Sequence, residues 1–271
     1  MIDIHLGFGI AGNFANHLEQ AGESSDFVDV VVDEKDAPKG IFPTFVKQSD
    51  TFIGDYPFSS DKIVAPEGKN IQMEPEVALI CDVEYHDGKV SSITPTHFTA
   101  YNDCSIRVEG AKKISHKKNW GEHTKGISKT KIAIDKFQEG GVMDDYSLVS
   151  YIKRDNKLIQ YGENSELKGY SYFYTKLSNW IVDKLNTQKD HGPLENLSQL
   201  IQKANHPKQL IISIGATRYT EFGETNYLKK GDILYVIVYD HNKYNQKQIE
   251  EFIDHDKLDI EHCSVLRQVV E

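Results

Sequence analysis

Two acids spaced two apart, Glu74 and Glu76, lead straight into a strongly apolar run, Val77-Ala78-Leu79-Ile80-Cys81-Asp82-Val83. A run of this length and β-branched content predicts a buried strand. Asp87-Gly88 follows as a two-residue hairpin signal, and Ile93 to Tyr101 resumes β-compatible sequence, with Pro95 marking an edge or a strand start. Residues two apart on an extended segment project to one face, so Glu74 and Glu76 point the same way. Unpaired carboxylates in an apolar core are costly, which leaves three settings: water, cations, or a metal ion. A lone Glu-x-Glu is most often a solvated strand edge. Its direct run into a buried strand argues for one of the other settings. A third carboxylate, Asp103, follows the next β-compatible stretch in Tyr101-Asn102-Asp103-Cys104-Ser105, with Arg107 four residues beyond it. Convergent carboxylates suit hard cations such as Mg²⁺ or Mn²⁺, and Ca²⁺ is compatible.

The rest of the chain adds strands more often than helices. Ile2 to Phe8 and the Val-rich Phe27 to Val32 read as strands, and Gly12 to Ala21 carries apolar residues at helical spacing. Residues 33–60 are rich in Pro, Gly, Ser and Asp and read mostly as loop. Ser147 to Gly162 predicts two short strands hinged at Asp155-Asn156. Helical periodicity spans Tyr172 to Leu185 and Leu194 to Ala204, the latter ended by His206-Pro207. Gln209 to Gly215 and the segment after Gly231-Asp232 read as buried strands. Without a sustained βαβ rhythm, the class is α+β and β-rich, with few short helices. The expected division is a small N-terminal region, 1–60, and a larger region, 61–271.

Composition narrows the functions. A net charge of -10 disfavours nucleic acid and anionic membranes as partners. Three widely spaced cysteines, Cys81, Cys104 and Cys263, suggest neither a disulfide framework nor a zinc–thiolate site. The N-terminus lacks a signal-peptide pattern and no run is long enough to span a bilayer, so a cytoplasmic protein is expected. His116, His123 and His191 form no zinc-binding pattern. Gly7, Gly9 and Gly12 match the dinucleotide spacing G-x-G-x-x-G with Asp33 at the distance of a ribose-binding acid. That signal is weak alone, and no further βαβ units follow it. The competing reading is a tight turn before the helix of His17.

With these motifs in place, the sequence resembles the fumarylacetoacetate hydrolase superfamily. Glu74-Pro75-Glu76-Val77-Ala78-Leu79 is similar to that family's E-x-E-L-A, and Phe98 to Arg107 to its G-Y-x-x-x-N-D-x-[ST]-x-R-D. Ala11-Gly12-Asn13-Phe14-Ala15-Asn16-His17 resembles its Gly-Arg-Asn-Tyr-like turn and following lid histidine. Pro43-Thr44-Phe45-Val46-Lys47 resembles a Pro-x-x-Phe-x-Lys element, and Trp120 with Lys125 a Trp followed by a Lys. Gly215-Ala216-Thr217-Arg218 and Leu228-Lys229-Lys230-Gly231-Asp232 resemble the C-terminal Thr-Gly-Thr-Pro and Leu-x-x-Gly-Asp segments. The chain departs at Gln20, where the family usually has its general-base glutamate, with Glu19 and Glu23 nearby. It also departs at Val108 and across most of the Thr-Gly-Thr-Pro turn.

The resemblance implies a mixed β-roll and a homodimer. It implies Mg²⁺ or Mn²⁺ on Glu74, Glu76 and Asp103, catalytic roles for His17, Glu19 and Lys125, and substrate contacts from Lys47, Arg107 and Thr217. The implied chemistry is hydrolase or lyase action on a small oxo-acid, of the acylpyruvate, 1,3-diketo acid or oxaloacetate type, through a metal-stabilised enolate. Hydration or tautomerisation of a dienoate is the neighbouring alternative. The altered turn and Gln20 also fit a non-catalytic relative that binds a small carboxylate. Arg107 has a plainer reading as a structural ion pair for the carboxylates.

Overall fold

The computed structural model describes residues 4–27, 30, 32, 34–108 and 110–271. Half of the expected strand Phe27 to Val32, the start of Ile2 to Phe8, and Asp33 lie outside them.

Two sheets pack face to face. The larger runs, in spatial order, Gly40–Val46, Leu6–Ala11, Gln209–Ser213, Pro75–His86, Lys89–Asn102, Lys125–Ile127 and Phe58–Ser59, with Ile132–Ala133 also paired to Lys89–Asn102. The smaller runs Lys157–Glu166, Tyr146–Arg154, Ile233–Asp240, Cys263–Val270 and Lys62–Ile63. Alternation sorts each strand between layers. Leu148 and Ile152 face inward to the core shared with Val77, Leu79 and Phe98, while Val149 and Tyr151 face outward. Helix Gln246–Asp254 covers that outer face with Ile249 and Ile253. Its capping box, Asn245 with Gln248, was a legible start signal that the sequence reading passed over. Helix Tyr174–Thr187 buries Leu177, Ile181 and Leu185 and packs against Lys89–Asn102. The architecture is the β-rich mixed fold expected, with few short helices.

The hairpins form where the turn chemistry places them. Asp87 and Gly88 take φ of 50° and 74°, and Asp155 and Asn156 take 50° and 61°, as two-residue turns require. Pro95 sits at a register shift, where a missing N–H is tolerated.

Residues 33–60 are largely the loop expected, but Gly40–Val46 within them is a fully buried strand. Its Gly40 and Pro43 looked like breakers, but this strand lies at the sheet edge, and Pro43 sits beside a register shift. The N-terminal region packs into the rest of the chain: Leu6–Ala11 pairs in parallel with Gln209–Ser213, and Leu6, Phe8 and Ile10 join the main core. Finally, Gly7 and Gly9 are not in a phosphate loop. They lie inside the strand Leu6–Ala11, where a Cβ on Gly7 would come within 2.8 Å of Thr44 Oγ1 and one on Gly9 would strike the Phe42 ring. Close side-chain packing accounts for these glycines, which removes the nucleotide reading. Among the described residues, no helix is long and apolar enough to cross a membrane.

Candidate metal centre

The hairpin of Pro75–His86 and Lys89–Asn102 is closed at Asp87-Gly88 and open at the other end. There Glu76 lies opposite Tyr101 and Pro75 opposite Asn102. One step beyond, the Asp103 N–H donates to the Glu74 carbonyl at 2.9 Å and the Glu74 N–H donates to Asn102 Oδ1 at 3.2 Å. Glu74 and Asp103 are thereby set across from each other, with Glu76 on the same face as Glu74. One oxygen from each of the three carboxylates lies within 4.8 Å of the others, and all three residues are buried.

The turn after Gln209–Ser213 folds over Glu76. Gly215 N–H donates to Glu76 Oε2 at 2.9 Å, and Thr217 N–H to the Pro75 carbonyl at 3.3 Å. Gly215 needs its glycine: φ is 109°, and a Cβ would sit 3.2 Å from that of Asn13. The Asn13 amide donates to the carbonyls of Ile214 (2.9 Å) and Tyr172 (3.0 Å), which ties this turn to the loop leading to His17.

Cations surround the acids. Lys118, on the four-residue helix Ser115–Lys118, places Nζ 2.6 Å from Glu74 Oε2 and 2.7 Å from Asp103 Oδ2. Lys125 opens the strand Lys125–Ile127, donates to the Cys104 carbonyl and lies 3.1 Å from Asp103 Oδ1. Arg107 reaches Glu74 Oε1 at 2.8 Å and Glu23 at 2.6 Å, and also donates to Gln72 and the Tyr219 hydroxyl. Lys117 pairs with Glu23 (2.8 Å) and Asp26 (2.7 Å).

The charges divide unevenly. Burial works to raise the Glu74 carboxyl, but Lys118 and Arg107 outweigh it and hold Glu74 well below the usual range. Burial and then Asp103 push Glu76 well above that range. Burial acts downward on Lys118, yet Asp103 and Glu74 raise it, whereas burial of Lys125 prevails over Asp103 and lowers it.

The expected site residues separate. The structure brings together Glu74, Glu76, Asp103, Arg107, Lys125, His17 and Thr217. His17 is buried against the Tyr219 ring, at 5.1 Å between centroids. Burial drives its imidazole down to about 4, and neither ring nitrogen has a hydrogen-bond partner. The Thr217 hydroxyl is likewise buried and unpartnered. Arg107 follows its plainer reading, spanning Glu23 and Glu74 as an ion pair.

Two placements are corrected. Glu19 is exposed and lines a separate cleft with Lys35 and Asp36. The helix His17–Gln20 ends in a Schellman turn: Gly22 N–H donates to Glu19 O and Glu23 N–H to Leu18 O, with Gly22 at φ 68°. That turn carries Glu23, not Glu19, into the buried network. Lys47 lies at the far end of its strand, with Nζ 2.7 Å from His5 Nε2. Phe42, which lines the site, is five residues away, roughly 16 Å along an extended strand. Gln20 is also structural, since its amide pairs with the backbone of Tyr219.

Lys117 and Lys118 are the residues the sequence reading missed, and Glu23 is the one it left level with Glu19. Gly22 was a legible helix-end signal for Glu23. For Lys118 there was none, because nothing local distinguishes it among 31 Lys and Arg.

The donor set fits a hard divalent ion. It offers three carboxylates and no thiolate or imidazole. Oxygens within 4.8 Å of one another are close enough to share one ion. Both Asp103 oxygens and Glu74 Oε1 lack an aligned hydrogen bond, although cations stand at ion-pair distance. A narrow cleft lined by His17, Glu23, Phe42, Glu74, Glu76 and Lys118 has a volume of about 10 Å³, enough for about one water.

Solved structures with the same fold include Cg1458 with inhibitor, at TM-score 0.55 and 14% identity over 98% of this chain and 77% of that one. 2-Keto-3-deoxy-D-arabinonate dehydratase complexed with magnesium and 2,5-dioxopentanoate aligns at TM-score 0.53 and 14% identity over 100% and 74%. 5-Carboxymethyl-2-hydroxymuconate delta-isomerase from Mycobacterium smegmatis aligns at 0.54 and 12% over 98% and 78%. The fold is thus of the fumarylacetoacetate hydrolase type. No curated protein matches the sequence. Residues 23–270, which include the three carboxylates and all four cations, match a family of unknown function, and the chain therefore belongs to the DUF5718 family.

Proposed function

We propose that this protein is a divalent-metal-dependent enzyme that forms an enolate from a small oxo-acid. The observation that carries the reading is the convergence of Glu74, Glu76 and Asp103 at the open end of one hairpin, with a neutral His17 facing the same cavity. Mg²⁺ or Mn²⁺ held by those carboxylates would supply Lewis-acid stabilisation of charge developing on a substrate oxygen. His17, uncharged near neutral pH and without a hydrogen-bond partner, accepts a proton from substrate carbon or from water and returns it. Lys125 stands 3.1 Å from Asp103 at the edge of the triad, and the free Thr217 hydroxyl is available to a substrate carboxylate. Glu23 acts at one remove, positioning Arg107 and Lys117.

Within this chemistry we place carbon–carbon hydrolysis or lyase action on acylpyruvates, 1,3-diketo acids or oxaloacetate first. Dehydration or isomerisation is the second reading, favoured by the dehydratase and isomerase that share the fold. Mn²⁺-loaded protein should turn over at least one member of a panel of oxaloacetate, acylpyruvates, 2-oxo-3-deoxy acids and hydroxydienoates, followed by ultraviolet absorbance. Glu76→Ala should lose both Mn²⁺ binding and turnover. Retained turnover in that variant would rule out this site, and metal binding without any turnover would favour a metabolite-binding role.

A further inference from the structure

Lys118 does something the other cations do not. Its ammonium stands between two of the three carboxylates, 2.6 Å from Glu74 and 2.7 Å from Asp103. Lys125 touches Asp103 alone, at 3.1 Å, and Arg107 holds Glu74 from the side that also carries Glu23, Gln72 and Tyr219. Among the described residues, only Lys118 bridges two members of the triad. Divalent ions bind carboxylate oxygens at about 2.0–2.6 Å, so an ion shared by Glu74 and Asp103 needs the space this ammonium fills. Two cations that close, shielded from water, repel each other strongly.

The backbone of Lys118 is fixed from several directions. Ile114 N–H donates to the Pro193 carbonyl at 3.1 Å, Ser115 bonds Glu195, and Lys117 binds Glu23 and Asp26. Asn119 donates to the carbonyls of Thr44 (2.9 Å) and Asp55 (3.0 Å). The helix cannot withdraw without breaking these contacts. What can move is the four-carbon stem, which runs beside the Phe42 ring with Nζ 5.2 Å from its centroid.

We infer that Lys118 is a tethered counter-cation that occupies the carboxylate site until a divalent ion displaces it, so that metal affinity is set by competition with this side chain. The inference rests on the metal-dependent reading above. Its consequence is a site already neutralised without metal, in a protein that folds metal-free and loads its ion only where the ion outcompetes an intramolecular ammonium.

The test is Mn²⁺ binding, by calorimetry and by the loss of the free-ion paramagnetic resonance signal, to the wild type, Lys118→Gln, Lys118→Met and Lys117→Gln. The Met variant keeps the apolar stem beside Phe42 in case the Gln variant folds poorly. Either Lys118 variant should bind Mn²⁺ about tenfold tighter or more, while Lys117→Gln, which removes a nearby charge that does not touch the triad, changes affinity by less than about threefold. In the wild type, acylation of Lys118 by an amine-reactive ester, read by mass spectrometry, should rise with Mn²⁺ along the binding curve. Unchanged or weaker binding in the Lys118 variants overturns the inference and leaves the metal-dependent reading standing. So does Mn²⁺ binding that leaves Lys118 protected. Binding by the Lys118 variants but not by the wild type supports the competition and removes the metal-dependent reading. Binding by none of them overturns both.

Discussion

The strand Pro75–His86 carries two acid pairs with the same spacing. Glu74 and Glu76 stand at its start, and Asp82 and Glu84 near its end, all on one face. The first pair is buried among Lys118, Arg107 and the Gly215 amide. The second is exposed, with Gln209 and Ser92 as side-chain hydrogen-bond partners. Spacing is therefore not what makes a site. The difference is burial, which makes each carboxylate demand a cation or a proton, whereas water solvates Asp82 and Glu84 at no such cost.

The sharpest way to break this comparison is to remove one acid from each environment. Asp103→Ala strips Lys118 and Lys125 of a shared partner inside the protein and should destabilise it by about 3–5 kcal/mol in urea unfolding. Asp82→Ala should fall within about 0.5 kcal/mol. Equal losses would mean that the buried network contributes no more than solvated charge.

The next effect is pH-dependent. His17 has its pKa lowered from 6.5 to about 4 by burial, so below pH 6.5 the unfolded chain takes up a proton that the folded protein refuses. Stability should fall as pH drops from 6.5 towards 4 and level off below that, by about 3 kcal/mol in all. A His17→Leu variant should lack that part of the slope when the two unfolding profiles are subtracted. Gly22→Ala should have the smallest effect of the site-side changes. No atom lies within 4 Å of the new Cβ, so only the left-handed backbone at φ 68° is penalised, by about 1 kcal/mol. A neutral result in thermal unfolding would show that the turn delivering Glu23 does not depend on glycine.

Much of the fold was legible because its signals are local. Asp87-Gly88 and Asp155-Asn156 occur where a backbone needs positive φ, and both hairpins formed there. Helix Tyr174–Thr187 follows from apolar spacing alone. The edge strand Gly40–Val46 was not legible, because Gly and Pro are breakers in any local reading, and only a place at the edge of a sheet excuses them. The site divides in the same way. Glu74, Glu76 and Asp103 stand beside strand signals, and their order along the chain carried the resemblance. Glu19 and Glu23 could not be ranked until the Schellman turn chose between them, and Lys47 had a motif but lies at the far end of its strand, beside His5.

The sequence by itself determined the β-rich class, the hairpin that faces Glu74 with Asp103, and the need for positive charge near them. These follow from strand periodicity, turn chemistry and the cost of burying carboxylates. Only the tertiary structure decided which cations meet that need. Lys118 arrives on a separate four-residue helix, held through Asn119 and Lys117 by contacts distant in sequence. Charge neutralisation is a requirement on a volume of space, and no local pattern of residues says which side chains will share that volume.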